Sequence, residues 1–265
     1  MSIIEIKNLT FAYETQNVLK DISLMIKKGT ITCLLGNNGS GKTTLLDNIL
    51  GIYPSQKGLI KVHGDEINKI SISKRAKYIS YIPQNHEEHF PYTVLEIVLM
   101  GRNPYLKAYE RSKKEDLTRV DEALSLMGIM ALKDRLYTQL SGGEMKMVLF
   151  ARAYVQDTDI ILMDEPTASL DLKNEQILLE RVAYLVKEKH KTIIMSSHEI
   201  NHPLYFDRHK IETQVAMLKK GRILYQGSVK EVVLEQNIEA IYDVKTKILP
   251  YTLDDGDEGR TVITM

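Results

Sequence analysis

Three short clusters in this chain combine residue types suited to handling phosphate. Gly36-Asn37-Asn38-Gly39-Ser40-Gly41-Lys42-Thr43 follows the apolar run Ile31-Thr32-Cys33-Leu34-Leu35 and fits the phosphate-loop pattern G-x-x-x-x-G-K-[ST]. Its glycines let the backbone wrap a phosphate without side-chain clashes, and the amides opening the next helix face the negative charge. Lys42 is placed to reach the β- and γ-phosphates, and Thr43 to offer its hydroxyl to Mg²⁺. Asp164-Glu165 closes the apolar run Ile160-Ile161-Leu162-Met163. A carboxylate at the C-terminal end of a parallel strand lies beside the ligand crevice. Asp164 then suits Mg²⁺, directly or through water, and Glu165 suits polarising an attacking water. Leu140-Ser141-Gly142-Gly143-Glu144, before a helix, is a second anion-binding turn in a chain that already has a complete one. Two such turns point to a nucleotide held by another copy of the chain, and hence to a paired ATPase.

The elements that must position these clusters follow from hydrophobic patterning. Residues 2–7 alternate like a strand, 18–26 carry spaced aliphatics, and 30–35 form a continuous apolar run of the kind buried in a parallel sheet. A helix is predicted over 42–50, closed by Gly51 and Pro54, with further strands at 59–62 and 78–82. Residues 93–100, 113–127 and 131–136 suggest helices, so an all-helical insertion is expected from about residue 86 onward. A helix over 143–155, a strand over 160–163, a helix over 172–189 and a strand over 192–196 follow. This alternation favours an open, mostly parallel sheet covered by helices. The C-terminal stretch reads as a hairpin (215–218 with 222–225), one helix over 228–241, and a second hairpin (246–253 with 260–264) turning at Asp254-Asp255-Gly256.

Composition narrows the class further. Lys plus Arg and Asp plus Glu stand at 35 each, so no global field favours nucleic acid or an anionic membrane. The single cysteine excludes an internal disulfide framework, and Cys33 reads as a buried small hydrophobe within its apolar run. No segment reaches the roughly 18 uninterrupted apolar residues that a membrane span requires. The expectation is a cytoplasmic chain whose membrane role, if any, needs a partner.

With those motifs in order, the chain resembles the ATP-binding cassette (ABC) ATPases, the nucleotide-binding subunits of membrane transporters. The likeness covers roughly residues 2–245. Beside the two phosphate and metal motifs it includes Leu140 to Glu144 as signature, Gln84 as Q-loop, Ser169-Leu170-Asp171 as D-loop, His198 as switch histidine and Tyr13 as the adenine-stacking aromatic. The resemblance implies an α/β P-loop NTPase (RecA-like) fold, with a mostly parallel core sheet, an N-terminal antiparallel β subdomain and an all-helical insertion. It divides the chain into a catalytic core (1–85 and 159–245), a helical signature subdomain (86–158) and a C-terminal β-hairpin extension (246–265).

It also implies ATP and Mg²⁺ as ligands, with Glu165, His198, Gln84 and Lys42 catalytic. Nucleotide contacts come from Tyr13, Gly36, Asn37, Asn38, Gly39, Ser40, Gly41, Lys42, Thr43 and Thr44, and from Ser141, Gly142 and Gly143 of a second copy. Thr43, Gln84 and Asp164 hold the metal. Two cassettes would pair head to tail on two membrane permease subunits at the cytoplasmic face of the membrane, with a substrate-binding protein involved indirectly.

The segment Thr93-Val94-Leu95-Glu96-Ile97-Val98-Leu99-Met100-Gly101-Arg102-Asn103-Pro104-Tyr105-Leu106 resembles the importers of metal chelates: iron–siderophore, haem and cobalamin. The stretch 227–247 looks like the same branch. Molybdate or metal-ion import is the alternative, and a non-transport cassette ATPase a more distant one. The chain departs from the branch in two places. Met145-Lys146-Met147 stands where the branch usually has a Gln/Arg-rich run, and the segment after His198, with Pro203 and 207–214, is a few residues longer, with a distorted helix end or loop expected there.

Overall fold

The computed structural model describes residues 2–84, 91–107, 110, 112–168, 170–253 and 256–265. The chain forms two compact units, Met1–Ile70 with Ala183–Met265, and Ser71–Val182.

The first unit opens with two long antiparallel strands, β1 (Ser2–Tyr13) and β2 (Gln16–Lys27). In β2 the alternation buries Ile22, Leu24 and Ile26 while Asp21, Ser23, Met25 and Lys27 face solvent, the period-2 signature of a half-buried sheet, and Leu19 is buried one residue out of step. β3 (Ile31–Leu35) is buried at every position. Each such aliphatic contributes about 1.5–3 kcal/mol on burial. Burial also pushes the Cys33 thiol up, so it is a packing residue and not a nucleophile. Helix α1 (Lys42–Leu50) follows and ends on Gly51 in the left-handed region at φ 69°. β4 (Lys57–Val62) and β5 (Asp65–Glu66) complete a four-stranded antiparallel sheet in the order β2-β1-β4-β5.

The second unit begins with α2 (Ile72–Tyr78), capped by the Ser71 side chain and not foreseen from sequence, which leads into β6 (Ile79–Ile82). The predicted strand over 78–82 therefore loses only Tyr78, to the helix end. The helical region follows: α3 (Val94–Leu99), a 3₁₀ stretch Met100–Tyr105, α4 (Lys114–Leu126) and α5 (Gly142–Val155). The helix expected over 131–136 does not form. Its place is taken by a single 3₁₀ turn, Met130–Leu132, and by an isolated bridge of Leu136 to Thr93. The Lys133 and Arg135 carbonyls accept the Leu95 and Val94 N–H groups at the start of α3, each at 2.9 Å, so this segment bonds to that helix and does not coil on itself. β7 (Ile160–Met163) pairs parallel to β6 with Ile82 opposite Met163. Helix α6 (Leu172–Lys187) buries Leu178, Leu179, Val182, Leu185 and Val186, a 3.6-residue stripe.

The chain returns to the first unit with β8 (Thr192–Ser197), α7 (Asn201–Arg208), β9 (Thr213–Lys219) and β10 (Arg222–Ser228). β3 lies between β8 and β9, parallel to both, and β10 closes the edge antiparallel to β9. The single helix expected over 228–241 is two, α8 (Val229–Val232) and α9 (Glu235–Tyr242), broken at Val233–Leu234 where Leu234 is extended. Val232 and Val233 are both buried, and turning the chain between them lets each reach the core. Pro203 does not distort α7. It is the third helical residue, where the missing N–H costs no intrahelical bond. The hairpin of β11 (Thr246–Thr252) and β12 (Glu258–Thr264) forms as expected, seven residues a side. Its predicted turn residues Asp254 and Asp255 lie outside the described residues.

Candidate functional site

In the first unit, the phosphate loop leaves the buried end of β3. Gly36 and Gly41 take φ values of 151° and 105°, which only glycine adopts freely. A Cβ on Gly36 would come within 2.3 Å of the Leu218 carbonyl oxygen. The loop is pinned by Ser40 N–H to the Asn37 carbonyl (3.1 Å), by Gly221 N–H to the Ser40 carbonyl (3.0 Å), and by the Asn37 side-chain amide to the Ile241 carbonyl (3.1 Å). Lys42 is 5% exposed and donates Nζ to the Gly36 and Asn37 carbonyls at 2.7 and 3.3 Å. α1 has no side-chain cap, and the Ser40 hydroxyl is buried without a hydrogen-bond partner. An uncapped helix start beside an orphaned hydroxyl and a buried ammonium is a cradle suited to an anion. Thr44, like Lys42, is buried in α1.

In the second unit, the parallel pairing of β6 with β7 brings two predicted residues together. The Asp164 N–H donates to the Ile82 carbonyl at 2.9 Å, continuing the register past the strand ends, and Asp164 is 2% exposed. One residue on, the Gln84 side-chain amide donates to a Glu165 carboxylate oxygen at 3.0 Å. Glu165 has φ 43°, a left-handed conformation unusual for glutamate and a form of backbone strain that gathers at functional sites. Lys146 also reaches this corner, donating Nζ to the Pro83 carbonyl at 3.1 Å and to that of Gln84. Burial lowers its pKa, opposed by the charges of Asp164 and then Glu165. In the sequence Lys146 stands out only as part of the departure at Met145-Lys146-Met147. Nothing in the linear spacing of residues 83, 84 and 146 reveals their contact.

The signature turn lies in the same unit. Ser141 is the N-cap of α5, accepting the Glu144 N–H at 3.3 Å while its own N–H and hydroxyl donate to the Glu144 carboxylate, each at 2.8 Å. This capping box holds the Glu144 carboxyl below its ordinary value, chiefly through the Ser141 backbone N–H and then its hydroxyl. Ser141 and Gly142 are exposed at the start of a 14-residue helix, and a Cβ at Gly142 would meet nothing within 4 Å. A Cβ at Gly143 would press on the Asn174 side chain at 2.8 Å.

Three further residues complete the picture. His198, in the first unit, stands exposed just past β8, with Nε2 3.5 Å from the Glu199 carboxylate. The segment is braced by Ser197, whose hydroxyl accepts the Glu199 N–H at 2.9 Å and sits 2.9 Å from Nδ1 of the buried His202. Tyr13 ends β1 and is 38% exposed, its ring packed edge-on against Phe11 and Tyr53 at 4.9 and 5.3 Å between centroids. Tyr53 was not foreseen, since an aromatic after a helix end carries no pattern. Ser169 of the predicted D-loop lies outside the described residues, while Asp171 accepts the Asn174 N–H at 2.7 Å beside the start of α6.

A glycine-rich loop leading from a buried parallel strand into a helix, inside an α/β fold, defines a P-loop nucleotide hydrolase. The chain belongs to the ABC transporter family, whose sequence profile matches residues 19–168, and is an ATP-hydrolysing cassette. It is 35% identical over 242 residues to a Helicobacter pylori protein named as an iron chelatin transport ATP-binding protein, covering 91% of this chain and 93% of that one. Among solved structures, a transporter classed as metal-chelate type, in an inward-facing conformation, superposes with TM-score 0.86 at 28% identity, covering 100% of this chain and 97% of the other. A dimeric ATP-binding cassette bound to ADP and Pi in a post-hydrolysis state gives TM-score 0.74 at 27% identity, covering 85% and 98%. Among the described residues no helix is long and apolar enough to cross a membrane.

Proposed function

We propose that this chain is the ATPase subunit of a metal-chelate importer, working as a head-to-tail homodimer on two membrane permease subunits at the cytoplasmic face of the membrane. The observation that supports the cargo class best is the end-to-end superposition on the metal-chelate type transporter. In this reading a substrate-binding protein delivers the chelate, and residues 86–158 serve as the signature subdomain, within the second compact unit. The core is 1–85 with 159–245, and 246–265 is an extension.

The loop 36–44 binds the ATP phosphates, with Gly36, Asn37, Asn38, Gly39, Ser40 and Gly41 presenting amides and the Ser40 hydroxyl. Lys42 exchanges its loop carbonyls for phosphate oxygens. Tyr13 stacks on adenine with its exposed face. Thr43, Gln84 and Asp164 would hold Mg²⁺: a hydroxyl, an amide oxygen and a carboxylate are the hard donors that this cation takes. With the Gln84 nitrogen turned to Glu165, the Gln84 oxygen would be the atom left for the cation. The metal, when bound, offsets the charge of the phosphates. Glu165 orients the attacking water, and His198 contacts the γ-phosphate side. Ser141, Gly142 and Gly143 of the second copy cap the γ-phosphate, so hydrolysis loosens the pair.

The deciding experiment is Glu165→Gln. It should bind ATP, turn over at least about a hundredfold more slowly, and elute as an ATP-dependent dimer. Rapid hydrolysis by that variant would end the assignment. Mixing Lys42→Ala with Ser141→Ala chains should restore nucleotide-dependent pairing through one intact composite site, and no recovery would count against sharing. Loss of labelled ferric-chelate uptake, with molybdate uptake intact, on deleting the gene would distinguish the cargo classes.

A further inference from the structure

Lys146 lies one helical turn inside α5, the helix that starts at the signature serine. Its neighbour Met147 is buried in the core, while Lys146 turns toward the end of β6 and is half-buried there. The ammonium meets two consecutive backbone carbonyls, those of Pro83 and Gln84. The Gln84 side chain, from the same residue, meets Glu165. One lysine thus holds the backbone from which the amide next to the catalytic carboxylate projects. A compact ammonium with three donors on a flexible stem suits two adjacent carbonyls, whereas a planar guanidinium presents its donors in a fixed fork. The partly desolvated setting strengthens these charge-assisted bonds relative to water.

We propose that Lys146 is a positioning residue for ATP hydrolysis: by holding the Pro83 and Gln84 carbonyls it fixes where the Gln84 amide meets Glu165, and so ties the signature helix to the catalytic carboxylate within one unit. The proposal rests on the roles given above to Gln84 and Glu165. It adds a consequence that those roles lack. Any displacement of α5, the helix whose first turn receives the partner's nucleotide, is passed through Lys146 to the Q-loop backbone and to the water-orienting group.

The test uses the full chain and steady-state ATP hydrolysis. Lys146→Met keeps the apolar stem and removes the donors. It should lower kcat by roughly tenfold, with KM for ATP within about twofold and the thermal unfolding midpoint close to that of the unaltered chain. Lys146→Arg should recover part of the loss. The decisive readout is coupling: in a Gln84→Ala background, Lys146→Met should change kcat by less than about twofold, because the residue it acts through is gone. Should Lys146→Met fold poorly, Lys146→Gln, which keeps one donor, is measured in the same cycle. A normal kcat in Lys146→Met, or a loss that persists undiminished beside Gln84→Ala, overturns the proposal. Glu165→Gln keeps the two levels apart. Full activity in that variant would remove the reading of the site itself, whereas an inactive Glu165→Gln with an undisturbed Lys146→Met removes only the role of Lys146.

Discussion

The side-chain amide of Gln84 donates to the carboxylate of Glu165 at 3.0 Å. The relation follows from register. Ile82 and Met163 are paired on parallel neighbours, and each chain runs two residues further before placing its polar side chain. Two segments some eighty residues apart thereby deliver a donor and an acceptor to one point, where the attacking water is oriented in the proposed function.

Gln84→Ala should reduce kcat by roughly ten- to a hundredfold while leaving ATP affinity within a few-fold, since the amide orients Glu165 and is one of three proposed cation ligands but does not itself bind the phosphates. Gln84→Glu should be worse, because a second carboxylate facing Glu165 repels it. Initial rates against ATP concentration decide both. Normal rates in Gln84→Ala would separate this contact from catalysis.

The Ser141–Glu144 box should make the helix α5 sensitive to acid. The folded-state pKa of Glu144 lies below its ordinary 4.5, so its stabilisation is fully present above that value and is lost as pH falls through the lower one. Glu96 and Glu231 sit in equivalent boxes with Thr93 and Ser228 and are held low in the same way, first by the backbone N–H of the cap. Unfolding midpoints measured from pH 7 to 3 should therefore drop below about pH 4.5. Glu144→Gln, which keeps a capping acceptor, should flatten part of that slope, and Glu144→Ala should cost about 1 kcal/mol at neutral pH.

Arg102 and Asp116 form an ion pair at 2.9 Å with side chains 10% and 9% exposed, and Arg102 also donates to the Val155 carbonyl at 2.9 Å. The Lys113 backbone N–H and then the Arg102 guanidinium hold the Asp116 carboxyl low, against the cost of its burial. Asp116→Ala strands the guanidinium and should cost about 3–5 kcal/mol in denaturant unfolding. The double replacement Arg102→Met with Asp116→Leu should be markedly less destabilised than Asp116→Ala, because no charge is left buried. Equal losses would mean that packing, not charge, carries the contact.

Much of the fold was legible because it is local. The phosphate loop, the all-buried run of β3 and the stripe along α6 are each written within a dozen residues, and each formed where patterning put it. Misreadings came from short segments ruled by their surroundings. Residues 131–136 carry apolar spacing but only a 3₁₀ turn, and 228–241 breaks at Val233 so that neighbouring valines can both be buried. Helix α2 escaped notice because none of its residues is buried, which leaves no apolar stripe to read.

What the amino-acid order determined alone is the chemistry on offer: a glycine loop with Lys42 and Thr43, a carboxylate pair at Asp164-Glu165, and a second glycine turn opening a helix at Ser141. Local backbone preference and side-chain type suffice for these, since every atom involved lies within a few residues. The tertiary structure alone decided that Lys146 clasps the carbonyls of Pro83 and Gln84 and that Gln84 faces Glu165. Such contacts depend on the pairing of β6 with β7 and the packing of α5 beside them. No periodicity encodes them, because strand register and helix placement are set by burial summed over the whole unit.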